Sequence, residues 1–160
     1  MKKAYLSLGS NLGDRQAHLD RALELLEQAG VRVLRRSSIF ETEPQDVLQQ
    51  PWFLNVVAEV ETSLFPKQLL ACLLRTEREL GRKRLVPKGP RIIDIDILLY
   101  GNAEVATKEL QIPHPRLWQR RFVLEPLAEL APDIRDRTSG KGIREYLRDV
   151  QNQAVRKWQV

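Results

Sequence analysis

The chain has 160 residues, 26 Lys and Arg against 21 Asp and Glu, a formal charge of +5 and an apolar share of 42%. This length suits one domain with a real core, and no charge-free apolar run approaches the roughly 20 residues of a membrane helix, so no membrane partner is expected. The single cysteine, Cys72, excludes a disulfide within the chain, and the positive balance favours an anionic partner without separating nucleic acid from nucleotide.

Residues 3–9 alternate, with Ala4, Leu6 and Leu8 on one face and Tyr5 and Ser7 on the other, which predicts a first strand. The apolar part of this start is too short for a signal peptide and runs at once into Asn11 and Asp14, so no export is expected and the cytoplasm is the natural compartment. Gly9 to Asp14 reads as a turn into a helix, where Gly9 and Gly13 could cradle a phosphate or serve only the turn. Leu19, Ala22, Leu23 and Leu26 recur at helical spacing, and Gly30 ends that helix. His18 is expected at its surface. Val31 to Phe40 reads as a second strand with an imperfect pattern at Arg35 and Arg36, and residues 41–52 as a loop. Leu54, Val56, Ala58 and Val60 then alternate with Asn55, Val57, Glu59 and Glu61, a third strand. Pro66 opens a second helix, with Leu69, Leu70, Leu73, Leu74 and Leu80 as its apolar stripe and Cys72 as a buried thiol.

The run from Gly89 to Tyr100 is the most informative part of the chain. A strand has a side-chain period of 2, so Asp94 and Asp96 share one face, while Ile93, Ile95, Ile97 and Leu99 take the other. Their Cα atoms should lie about 6.5–7 Å apart, within reach of one metal or a pair. Two bare carboxylates buried that close would raise a pKa, and a cation relieves this. An exposed edge strand with a polar face is the alternative. Residues 101–160 form a tail, with a rigid bend at Ile112-Pro113-His114-Pro115 and short helices over Arg121 to Leu130 and Ile143 to Val150. The order β-α-β-β-α-β predicts an α+β, ferredoxin-like antiparallel sheet with helices on one face and a C-terminal helical extension, a single domain over residues 1–160.

Arg75, Arg78, Arg82, Lys83, Arg84, Lys88 and Arg91 crowd ahead of the Asp pair. Cations beside acids that would hold a metal suggest a polyphosphate site. The same residues also suit the C-terminal end of the second helix electrostatically. No P-loop motif is present. His114 has no second His at ligand spacing and no Ser or Asp constellation around it, so zinc is not expected. Asn55 can donate and accept toward a heterocycle edge, or cap its own strand.

Together these residues resemble the 6-hydroxymethyl-7,8-dihydropterin pyrophosphokinase family. The resemblance runs from Ala4 to about Pro132 and rests on Gly89 to Leu98, Leu8 to Gly13, Glu41 to Pro44, Gln50 to Asn55, Gly81 to Arg84, and Pro113 to Pro115 with Arg120 and Phe122. It implies transfer of pyrophosphate from ATP to the hydroxymethyl oxygen of a reduced pterin, with release of AMP; a monomer with no nucleic-acid partner is expected. It implies two Mg²⁺ ions on Asp94 and Asp96, and a triphosphate contacted by Arg82, Arg84, Arg91, His114 and Arg120. Glu77 and the backbone near Ile97 would lie on the nucleotide side. Thr42, Pro44, Phe53, Asn55 and Phe122 would form the pterin pocket, with the two Phe rings sandwiching the ligand. Asp46 stands where the family often has Gly, Lys88 where some members have a covering Trp, and Pro87 where a charged residue is usual. A nucleic-acid-binding ferredoxin-like module is the competing reading, although its middle strands would need aromatics to stack bases. A metal-binding regulatory domain is the third.

Overall fold

A computed structural model of the protein describes residues 1–83 and 87–159. β1 (Lys2–Ser10) buries Ala4, Leu6 and Leu8 completely, as its alternation predicts. β4 (Phe53–Thr62) does the same with Leu54, Val56, Ala58 and Val60. The two run antiparallel, with Tyr5 opposite Glu59, Ser7 opposite Val57 and Gly9 opposite Asn55. β5 (Asp94–Tyr100) takes the other edge of β1, placing Asp96 opposite Ser7 and Asp94 opposite Gly9. Beyond β4 lie β2 (Arg32–Arg36) and β3 (Phe40–Thr42), and β8 (Val155–Lys157) pairs with β3. The order is β5-β1-β4-β3-β8, with β2 also on β4, and every pairing is antiparallel.

α1 (Arg15–Gln28) starts at Asp14, whose carboxylate accepts from the Ala17 N–H at 3.1 Å. α2 (Pro66–Glu79) begins with proline and is closed after Leu80 by Gly81 at φ +90°. Leu19, Ala22, Leu23 and Leu26 of α1, with Leu69, Cys72 and Leu73 of α2, pack on the Leu6 and Leu8 face. Each such leucine contributes about 1.5–3 kcal/mol by leaving water. α3 (Arg121–Leu130) and α4 (Ile143–Asp149) cover part of the opposite face, where Val57 and Leu98 meet Leu117, Val123, Leu124, Leu127 and Ile143. A small hairpin, β6 (Val105–Ala106) and β7 (Gln111–Ile112), completes the fold.

Several expectations are corrected. The register slips opposite Tyr5 and Leu6, so β5 carries an irregularity near Leu98. Beyond it Leu99 joins the same cluster as Leu98 and Tyr100 takes the core position, so Leu99 does not share the face of Ile97. The expected 31–40 strand is two strands, because the ladder is interrupted at Ser37: its N–H donates to the Val57 carbonyl at 2.9 Å, but the Val57 N–H donates to the Ser37 hydroxyl, also at 2.9 Å, in place of a backbone carbonyl. Glu41 and Thr42 belong to β3 and not to the following loop, and Gly9 and Ser10 finish β1 instead of turning. In α2, Thr76 is buried while Leu74 is only half-buried. His18 is half-buried, with Nδ1 at 3.4 Å from the Ser10 hydroxyl, and not fully at the surface.

Candidate active site

The sheet face that α1 and α2 do not cover opens at the β1 C-terminal end into a basin of about 380 Å³. Ser7 and Gly9 of β1, Asn55 of β4, and Asp94 and Asp96 of β5 form its floor. Period-2 alternation on three adjacent strands brings them together. Thr42 and Phe53 close one side; Arg82, Lys88 and Arg91 another; His114, Arg120 and Phe122 the third. Of the residues singled out in the sequence, Thr42, Phe53, Asn55, Arg82, Arg91, Asp94, Asp96, His114, Arg120 and Phe122 all line this one cavity.

Four do not. Pro44 is buried beside the cavity and does not line it. Ile97 lines a neighbouring cavity of about 300 Å³ with Leu70, Leu110 and Gln111, which meets the basin at Asp96 and His114. Glu77 lies underneath: its carboxylate accepts from the Ile95 N–H at 2.8 Å and from Arg82 at 3.0 Å. Arg84 lies outside the described residues.

The carboxylates are unequally balanced. Asp94 accepts from Arg82 Nη1 at 2.8 Å and has Arg91 Nε at 3.5 Å. Among the described residues nothing hydrogen-bonds the Asp96 carboxyl. Loss of water and the neighbouring Asp94 charge push it up to about 7, against a smaller opposing pull from Arg120. The guanidiniums are also incompletely used. Among the described residues, Arg82, Arg91 and Arg120 each bury an Nε–H without a hydrogen-bond partner, an arrangement that costs about 1–3 kcal/mol per group and that an anion would relieve. Desolvation first, then Arg116, lowers the Arg120 pKa. Burial and the Arg120 charge push His114 down to about 4, so it is neutral at pH 7. Its Nδ1 accepts from the Arg116 N–H at 3.1 Å, which leaves the Nε2–H as a neutral donor.

Asn55 is 4% exposed and donates to the Thr42 hydroxyl at 2.6 Å. Gly9 is what makes room for it, since a Cβ there would stand 2.6 Å from Asn55 Oδ1. Gly9 therefore serves the amide. The two expected Phe walls are each covered by a cation, Arg91 over Phe53 at 4.8 Å and Arg120 over Phe122 at 5.3 Å. At the rim Asp46 pairs with Arg116 at 3.2 Å and with Lys88 at 3.6 Å. Sequence reasoning did not assign Ser7, Glu43, Gln45 or Gln50 to the site. Ser7 was legible in principle, two residues before Gly9 on the same strand face. The buried Asn11 ties the loops together, donating to Gln50 and to the Pro51 carbonyl, both at 2.9 Å, and accepting from the Arg91 N–H at 2.8 Å.

Residues 5–132 match the model of the 7,8-dihydro-6-hydroxymethylpterin-pyrophosphokinase family. The chain is 46% identical over 147 residues to the 2-amino-4-hydroxy-6-hydroxymethyldihydropteridine pyrophosphokinase of Bacillus subtilis, covering 91% of this chain and 88% of that protein. It is 45% identical over 148 residues to the enzyme of the same name from Methylorubrum extorquens, covering 92% of each. It is also 42% identical to the folic acid synthesis protein fol1 of Pneumocystis carinii, but spans only 20% of that longer chain. Among solved structures, an HPPK-DHPS in complex with substrates superposes with a TM-score of 0.77 at 16% identity, over 92% of this chain and 43% of the other. That likeness speaks for the fold.

Proposed function

The chain belongs to the 7,8-dihydro-6-hydroxymethylpterin-pyrophosphokinase family, and on that premise we propose that the basin performs the family's reaction, the transfer of pyrophosphate from ATP to the hydroxymethyl group of the reduced pterin, releasing AMP in folate synthesis. The observation that carries this is one cavity holding an unbalanced acid pair, three under-used guanidiniums, a buried amide and two aromatic side chains. An exchange of pyrophosphate needs little covalent chemistry from the protein, whose work is positioning and charge neutralisation.

Asp94 and Asp96 are the residues that would hold Mg²⁺, two ions in our reading. The fit is chemical: both donors are carboxylates, which suit a hard cation, and Asp96 has no hydrogen-bond partner among the described residues and stands beside a like charge. Bound there, Mg²⁺ supplies neutralisation of the phosphate oxygens. Arg82, Arg91 and Arg120 then bind the triphosphate through the N–H groups that lack partners, and Arg84 joins them. The neutral His114 donates its Nε2–H to a phosphate oxygen. Arg82 gives up part of its bond to Asp94 to do so, and keeps Glu77 as its anchor. The nucleoside lies toward the cavity lined by Leu70, Ile97 and Leu110.

Asn55, held by Thr42, reads the pterin edge. Phe53 and Phe122 take the ring faces once Arg91 and Arg120 move from them onto the phosphates, and Pro44 supports the loop from behind. We read the strand order as ferredoxin-like, with residues 101–160 as its extension within a single domain, acting as a cytoplasmic monomer. None of the described helices is long and apolar enough to cross a membrane. The nucleic-acid reading has no support in the basin, whose floor carries acids and whose aromatics sit at its sides. The test is an ATP-dependent assay with the pterin alcohol that scores the nucleotide product. AMP is expected; ADP, or no turnover with the pterin, overturns the reading.

A further inference from the structure

The segment from Gln151 to Lys157 lies beyond residue 132, where the family match ends, yet it joins two walls of the basin. On one side it pairs with β3: Val155 is opposite Thr42, Arg156 opposite Glu41 and Lys157 opposite Phe40. The Ala154 N–H donates to Glu43 Oε1 at 2.9 Å, and the Glu43 N–H donates to the Ala154 carbonyl at 3.1 Å. The Arg156 guanidinium donates twice to the buried Glu41, which Arg15 also contacts at 3.0 Å. Arg156 lies over the Trp52 ring as well, 5.3 Å from its centre. Thr42, the partner of Asn55, sits between Glu41 and Glu43.

On its other side the segment grips the start of α3. Gln153 Oε1 accepts from the Arg121 N–H at 2.9 Å, and Gln153 Nε2 donates to the Gln119 carbonyl at 2.9 Å. Arg121 Nη1 returns a bond to the Gln153 carbonyl at 2.8 Å. Arg121 stands between Arg120 and Phe122, the two site residues of that wall. Successive residues of one short segment thus fix the Thr42 wall and the Phe122 wall, with Gln153 and Ala154 adjacent at the crossing. None of residues 151–157 belongs to the buried core; the next residue, Trp158, packs against the α1–α2 core, and the bonds of Gln153 and Ala154 to the two walls are separate from that packing.

We propose that this segment is a strap that sets the spacing between the Thr42 and Phe122 walls, with Gln153 as a positioning residue for the pterin and not for the nucleotide. The proposal rests on the assignment of these walls to the pterin. Gln153 is partly exposed and is not among the residues that line the basin, so its effect is exerted through wall spacing.

The experiment measures binding of the pterin alcohol by full-length protein in the presence of a non-hydrolysable ATP analogue and Mg²⁺, and binding of the analogue separately. Gln153→Ala loses two hydrogen bonds and is expected to raise the pterin Kd about fivefold or more. The analogue's Kd should stay within about twofold. Ser139→Ala is the control. It removes tail bonds to Tyr146 and Lys141 that touch neither wall, and should leave the pterin Kd unchanged. If Gln153→Ala folds poorly, Gln153→Glu keeps the acceptor for Arg121 and loses only the bond to Gln119, and a smaller pterin-selective weakening is expected. Unchanged pterin affinity, equal weakening of both ligands, or an equal loss in Ser139→Ala overturns the strap. Failure of the unsubstituted protein to bind pterin would instead remove the underlying assignment.

Discussion

Glu59 and the Asp94–Asp96 pair occupy opposite ends of the same sheet face. At one end Glu59 faces Tyr5 across the β1–β4 ladder, accepts its hydroxyl at 2.7 Å, and accepts Arg35 at 2.9 Å. Arg35 and Tyr5 hold Glu59 below the usual carboxylate range against the upward push of burial, while burial and the Glu59 bond push Tyr5 up to about 12. At the other end Asp96 sits with another carboxylate and is pushed the opposite way. A balanced acid holds the fold, whereas an unbalanced one awaits a cation. Loss of the first should cost stability and loss of the second activity.

The sharpest way to break this contrast is Asp96→Ala, with Asp94→Ala beside it. Removing a charge clamp costs several kcal/mol of transition-state stabilisation, so turnover should fall about 10³-fold or more. Thermal unfolding should change little, and for Asp96→Asn without metal the midpoint should rise. Near-normal turnover at modest Mg²⁺ would defeat the metal assignment. Next in size is Asn55→Asp, which keeps shape and loses the amide donor. Pterin affinity should drop about 10- to 100-fold with nucleotide affinity retained; parallel losses in two titrations would mean the fold had been disturbed.

Glu59→Gln sharpens the other side. The buried end of the Tyr5–Glu59–Arg35 group loses its charge, and denaturant melts should show about 1–3 kcal/mol less stability with turnover within about threefold. A larger activity loss than stability loss would erase the distinction between the two ends. The last comparison is in pH. The folded pKa of Glu59 is depressed, so its contribution is present above the ordinary carboxylate range and fades as acid titrates it. The folded pKa of Asp96 is raised from 3.8 to about 7, so between those values the folded state binds the extra proton and metal-free stability rises as pH falls. Melting curves from pH 7 to 4 should therefore lose this rise in Asp96→Asn and keep it in Glu59→Gln. Saturating Mg²⁺ should suppress it in the unsubstituted protein. The same slope in Asp96→Asn as in the parent would place the titrating group elsewhere.

Much of this was legible in the sequence because periodicity is local. The β1 and β4 faces, the shared face of Asp94 and Asp96 on β5 and the α1 stripe follow from spacing alone, and the Gly89 to Leu98 motif carries the resemblance to the family. What stayed illegible required contacts distant in sequence. The irregularity that turns Leu99 over arises only where β5 meets Tyr5 and Leu6 of β1. The break at Ser37 depends on Val57, 20 residues on. The need for Gly9 comes from Asn55, and β8 exists because β3 offers it an edge. The sequence by itself determined the two long helices, the β1, β4 and β5 strands, the carboxylate pair and the family, since these depend on neighbouring residues and short spacings. Only the tertiary structure decided which charges are satisfied and which walls face each other, because hydrogen-bond partners and burial are set by where distant segments meet.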